Sequence, residues 1–212
     1  MDKAKIVKIL AWAISIKVAV LAIVVWGEGI NWKFTGLSVY KFFPLLGLLA
    51  FSLMWAHYIA SVLRQILKVD KEALKNYFEV TSWAVLVLII LHPGLLSYQL
   101  WKDGLGLPPG SITSNYVAPG LGWVIVLAEV SLLVFLAYEL RRWFKQKSWW
   151  KFVQYASDAA MLAIFYHGLR LGSNLQDGWY RYVWFYYGIT LVGAILYGYV
   201  RKFKRVQRDV YK

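Results

Sequence analysis

Two histidines stand near the far ends of long apolar runs. His92 closes the run from Ser82 through Leu91 and is followed by Pro93-Gly94; His167 closes the run from Ala159 through Tyr166 and is followed by Gly168. An ionisable side chain held inside a bilayer is costly and marks function by default, and a neutral imidazole is a common metal ligand. Two imidazoles at matching depth on different helices can supply both axial nitrogens of one haem b. Gly94 and Gly168 remove side chains beside each ligand, so a flat macrocycle can approach the backbone. Pro93 opens the helix locally and tilts His92. Arg170 follows His167 by three residues and shares its helix face, where a guanidinium can pair with a haem propionate, helped by Lys102 or Arg181. Zinc is a poorer fit, because the two imidazoles have no third and fourth ligand nearby. The plainer alternative is that both histidines hydrogen-bond to neighbouring helices.

Other polar residues also fall inside apolar runs: His57, Lys17, Glu129 and Asp158. Three uses compete for them. Lys17 pairs structurally with Glu129 or Asp158; or His57 and Asp158 form a proton or quinol site; or His57 serves a second haem as an unusual ligand. Helix order in the bundle decides among these.

The elements that position these residues follow from hydropathy. The chain of 212 residues is 60% hydrophobic and 17% charged, with a mean hydropathy of +0.51. An average soluble domain carries about 25% charged residues, so this composition belongs to an all-α membrane protein. Six apolar runs approach the ~20 residues needed to span: about 9–27, 42–63, 78–100, 121–140, 150–171 and 179–200. Together they predict a single six-transmembrane-helix bundle. The absence of cysteine excludes thiolate-held iron–sulfur clusters and covalent c-type haem. The net charge of +13 lies in short loops beside apolar runs, which belongs to topology and not to a nucleic-acid interface.

Basic residues orient the bundle. Lys3, Lys5, Lys8, Arg64, Lys68, Lys71, Lys75, Arg141, Arg142, Lys145, Lys147, Lys151 and the tail from Arg201 fall on one side. Only Lys33, Lys41, Lys102, Arg170 and Arg181 fall on the other. The positive-inside rule then places both termini in the cytoplasm of a multi-pass cell-membrane protein, most simply a prokaryotic inner-membrane one. The tail rests on anionic headgroups. Residues 101–120, with Pro108-Pro109-Gly110 and Pro119-Gly120, read as a structured outer loop. Trp26, Trp32, Trp101, Trp123 and Trp179 mark the outer interface. At 1.5 Å per residue, His92 lies roughly 21 Å and His167 roughly 25 Å from the cytoplasmic end, while His57 lies only roughly 10 Å from it. The first two share the outer half and His57 does not.

Six spans with histidines on the third and fifth resemble the ferric-reductase-like transmembrane domain superfamily. That group includes NADPH oxidases, six-span metalloreductases and the haem membrane subunit of the bacterial periplasmic methionine sulfoxide reductase system. The segments carrying the resemblance are Ser82-Trp83-Ala84 to His92, then Tyr98, and Trp149-Trp150-Lys151-Phe152-Val153-Gln154-Tyr155 leading to His167. The resemblance implies a cytochrome b that passes electrons to an extracytoplasmic acceptor, with His92 and His167 as iron ligands. Two-haem members repeat the histidine about four helical turns earlier on each helix. Phe78 or Glu79 and Val153 or Gln154 stand there instead, so the expectation is a single haem near the outer face. Only a dozen residues follow Val200, so electrons are expected from a partner flavoprotein, free reduced flavin or a membrane quinol. Two other functional classes stay open: a non-enzymatic haem anchor or sensor subunit, and a haem-free transporter built on the buried charges.

Overall fold

The computed structural model describes residues 2–139 and 146–210, and over them the chain is helical with no strand. Arg141, Arg142 and Lys145, used above for orientation, lie outside the described residues, as does the end of the tail. Seven α-helices follow in order: α1 Lys3–Gly29, α2 Val39–Ile66, α3 Lys75–Lys102, α4 Gly110–Asn115, α5 Gly122–Glu139, α6 Trp150–Leu171 and α7 Trp179–Val210. A short 3₁₀ turn, Lys71–Leu74, leads into α3, and another, Ser173–Leu175, follows α6. Asp2 caps α1 by accepting from the Ala4 amide at 3.2 Å. Asp70 does the same for the first 3₁₀ turn through the Glu72 amide at 2.9 Å. These carboxylates satisfy amides that have no intrahelical partner.

Among the described residues, five segments are long and apolar enough to cross a membrane: α1, α2, Lys71–Lys102, α5 and Trp179–Lys204. The fifth expected run does form a helix over 150–171, but its apolar character is diluted by Lys151, Gln154, Asp158, His167 and Arg170. It folds back on α5 as an antiparallel hairpin. Tyr138 stacks on Trp150 at one end, with ring centroids 5.8 Å apart, and Trp123 stacks on Tyr166 near the other at 5.5 Å. The outer loop is not wholly irregular, since α4 forms within it.

Helix α2 is the hub, packing against α1, α3 and α7, while α7 also touches α6. Lipid is as apolar as leucine, so helix association in a membrane depends on close packing and interhelical hydrogen bonds. Both are present here. Phe51 and Trp184 lie 4.2 Å apart between centroids, and Trp55 and Tyr187 lie 4.5 Å apart. The Trp55 indole donates to Thr190 Oγ1 at 2.9 Å, and the Trp184 indole donates to the Phe165 carbonyl at 3.1 Å. Ser15 and Tyr77 join α1 to α3 through a 2.8 Å hydroxyl–hydroxyl bond. Trp26 is a buried core residue whose indole donates to the Lys41 carbonyl, which is more than its expected place in an interfacial belt. Helices α3 and α5 are joined through α4 but do not pack broadly on each other.

Candidate functional site

The outer site is built on α2, α3, α5 and α6. His92 projects from α3, and its Nδ1 lies 2.8 Å from the carbonyl oxygen of Phe43 on α2. A carbonyl can only accept, so Nδ1–H is the donor and the neutral ring leaves its lone pair on Nε2. His167 projects from α6 and makes the same kind of bond, from Nδ1 to the Val124 carbonyl of α5 at 3.3 Å. Among the described residues, no hydrogen bond reaches Nε2 of either ring. Helices α3 and α6, which carry the two rings, do not pack broadly together. A ligating histidine characteristically donates its second ring nitrogen to a carbonyl, which fixes tautomer and orientation. Both histidines have that arrangement.

The site is bounded outwardly by an apolar cluster of Phe43, Leu96, Leu100, Ile112 and Ile125. The Phe43 ring lies 5.2 Å from the His92 ring. The glycine that makes room for His92 is Gly47, where a Cβ would come 2.7 Å from the imidazole Cε1. The space beside Gly94 is open, with nothing within 4 Å of an added Cβ. Gly168 has a different role from the one expected: Trp184 fills its notch, with Cζ2 at 2.6 Å from a built Cβ. Gly168 therefore lets α7 approach α6 and leaves no room there for a macrocycle. Arg170 is exposed at the end of α6.

The structure presents two backbone-anchored rings on separate helices, each with an available Nε2 lone pair. Among the described residues, no three histidine, cysteine or acidic side chains gather as a metal cluster.

Deeper in the bundle, α2, α3, α5, α6 and α7 surround an open cavity of about 710 Å³. Its lining includes His57, Tyr58, Asp158, Tyr199 and Gln154, with apolar walls from Met54, Phe78, Val85, Leu86, Ile89 and Phe135. The size and lining are those of a small-molecule site. Asp158 is held from both sides: Tyr58 donates to Oδ1 and Tyr199 to Oδ2, each at 2.8 Å. His57 Nε2 lies 2.6 Å from Thr81 Oγ1, which itself donates to the Tyr77 carbonyl at 2.7 Å. The hydroxyl proton is committed to Tyr77, so the His57 bond runs from Nε2–H to the threonine oxygen.

The four buried-charge residues separate. His57 and Asp158 share the cavity, whereas Lys17 and Glu129 do not line it. The expected pairing of Lys17 with Glu129 or Asp158 does not form; among the described residues the one salt bridge joins exposed Lys75 and Glu72 at 3.5 Å. Lys17 lies on the outward stripe of α1 beside Ile16 and Val20, while Ser15 and Val18 turn inward, and Asp158 is already bonded by two phenols. Sequence reasoning missed Gly47, the Phe43 and Val124 carbonyls, Thr81, Tyr58, Tyr199 and Trp184. The only sequence signal among them was the His57-Tyr58 pair inside an apolar run. The chain matches no family model, no curated protein and no solved structure.

Proposed function

We propose that this chain is a six-span membrane cytochrome of the ferric-reductase-like kind, with both termini cytoplasmic, that moves electrons outward through one haem b held by His92 and His167. One observation carries the reading: both imidazoles are anchored through Nδ1–H to a backbone carbonyl of a neighbouring helix, and each keeps Nε2 available. The Nδ1 bonds alone would equally serve two structural histidines; it is the available Nε2 on each ring that supports ligation. Bound there, a bis-histidine haem supplies a one-electron couple with no open iron position, which suits outer-sphere transfer to an extracytoplasmic acceptor. Helix α6 counts as the sixth span in this reading; His167 bonds to α5, and Asp158 and Gln154 line the cavity.

The inner cavity is the place for the electron donor, a quinol or a reduced flavin. Its apolar walls, from Met54, Phe78, Val85, Leu86, Ile89 and Phe135, suit a flat ring. Oxidation of a quinol releases two electrons and two protons, the electrons leaving one at a time. The Asp158 carboxylate and the His57 imidazole are the groups at hand to accept the protons. Nothing in this chain's aromatic core is needed as a redox carrier; Phe51, Trp55, Trp184 and Tyr187 pack the helices that frame both sites.

The test is an optical spectrum of the purified protein, oxidised and then reduced with dithionite. The expected result is a low-spin b-type spectrum that disappears in His92→Ala and in His167→Ala. A colourless protein, or a spectrum that survives both substitutions, refutes the proposal. Reduction by an added quinol that slows in Asp158→Asn while the spectrum stays unchanged supports the donor site.

A further inference from the structure

Lys17 occupies an unusual place. Helix α1 spans residues 3–29, so its midpoint is residue 16, and Lys17 sits beside it. Its side chain is exposed between Ile16, which is 60% exposed, and Val20, which is 51% exposed. Counting 1.5 Å per residue, the ammonium is roughly 18 Å from the outer end of the helix and roughly 21 Å from the inner end. A lysine stem cannot snorkel that far to headgroups. On the membrane-spanning reading above, an unpaired cation therefore faces hydrocarbon, an arrangement that membrane proteins avoid.

The chain carries a matching anion. Helix α5 is described over residues 122–139, and Glu129 lies seven residues, roughly 10 Å, past its start. Glu129 is half-buried and stands on the same helix face as Val126, Val130 and Leu133, all of which are exposed. Each helix thus shows an outward apolar stripe that contains one charge, and the two charges are opposite. Helices α1 and α5 have no substantial mutual packing, and no salt bridge joins Lys17 to Glu129 within one copy.

We propose that copies of this chain associate side by side in the membrane, the α1 stripe of one against the α5 stripe of the next, with Lys17 paired to Glu129 of the second copy. Because the two patches are different surfaces, the contact is heterologous and generates a ring where the rotation closes. The α1 and α5 directions are opposed, so Val20 and Val126, each one turn toward the outer side of its charge, meet at the same level. The proposal needs α1 and α5 in the bilayer and is independent of any haem.

The chain has no cysteine, which makes disulfide cross-linking a clean assay. Full-length protein carrying Val20→Cys and Val126→Cys, oxidised in native membranes, should give dimers and higher species. Each single-cysteine chain should give none. Lys17→Glu or Glu129→Lys placed in the double-cysteine chain should cut cross-linking roughly tenfold, the scale of one lost interhelical polar contact at its upper range. The two reversals together should restore it, which a folding defect does not do. Lys17→Met should lose cross-linking while keeping the circular dichroism of the parent. No ladder, a ladder indifferent to both reversals, or a Lys17-dependent complex with another polypeptide that Glu129→Lys leaves intact would each overturn the proposal. A haem spectrum recorded on the same samples keeps the two readings apart.

Discussion

Replacing Gly47 with alanine tests the anchored-imidazole geometry directly. The new Cβ would stand 2.7 Å from Cε1 of His92, 3.0 Å from Nδ1 and 3.1 Å from Nε2. Carbon atoms rest about 3.5–4.0 Å apart, so the ring must retreat from α2 by roughly 1 Å. Its hydrogen-bond acceptor, the Phe43 carbonyl, sits one turn earlier on the same helix, so the retreat stretches a 2.8 Å bond toward a length at which it no longer counts as one. Losing such a supporting partner typically costs a metal-binding histidine about 10- to 100-fold in affinity. The helix itself does not suffer, because alanine is favoured over glycine in a helix interior by about 1 kcal/mol. Haem titration of purified apo-protein should therefore show Gly47→Ala weakened by at least tenfold, or high-spin, with a melting temperature at or near the parent's. Gly193→Ala on α7 is the matched control, since its Cβ meets nothing within 4 Å. Equal haem affinity and an unchanged low-spin spectrum in Gly47→Ala would refute the claim that the Phe43-anchored ring is the ligating one.

Other outcomes follow from the same contacts. Trp184 is 2% exposed, stacks on Phe165 and fills the notch at Gly168. Trp184→Ala should destabilise the bundle by about 3–5 kcal/mol, the scale of a large-to-small aromatic change in a packed core. Thermal unfolding of the detergent-solubilised protein measures this, and a change below about 1 kcal/mol would mean that the α6–α7 notch is not what joins these helices. Tyr58→Phe combined with Tyr199→Phe removes both hydrogen bonds to Asp158. It should slow reduction by an added quinol while sparing the haem spectrum, and an unaltered rate would remove Asp158 from the donor site. Thr81→Val takes away the oxygen that accepts from His57 and should slow the same step without touching His92 or His167. Stopped-flow reduction reads both.

Some of this molecule is a one-dimensional property of the chain. Long, mostly apolar runs predict helices over 9–27, 42–63, 78–100 and 150–171, and the structure places α1, α2, α3 and α6 over those runs with ends extended by up to six residues. Counting residues along a helix also gives an expected depth, which puts His92 and His167 at a similar level on the spanning reading. Facing is another matter. Helix α1 is apolar nearly all round, and so is α3; a helix without a polar face has no periodicity to say which side turns inward. Rotation about the helix axis was therefore invisible, and with it the outward position of Lys17 and the inward turn of Asp158 onto two tyrosines. The backbone carbonyls of Phe43 and Val124 carry no side-chain signature at all. Gly47 was one glycine among 16 until α3 laid an imidazole across it, and Gly168, which looked like a ligand's neighbour, received an indole from α7. Those assignments belong to the packing of five helices around α2 and α6, which the tertiary structure alone decides, because interhelical contacts depend on rotation and register and a linear pattern contains neither.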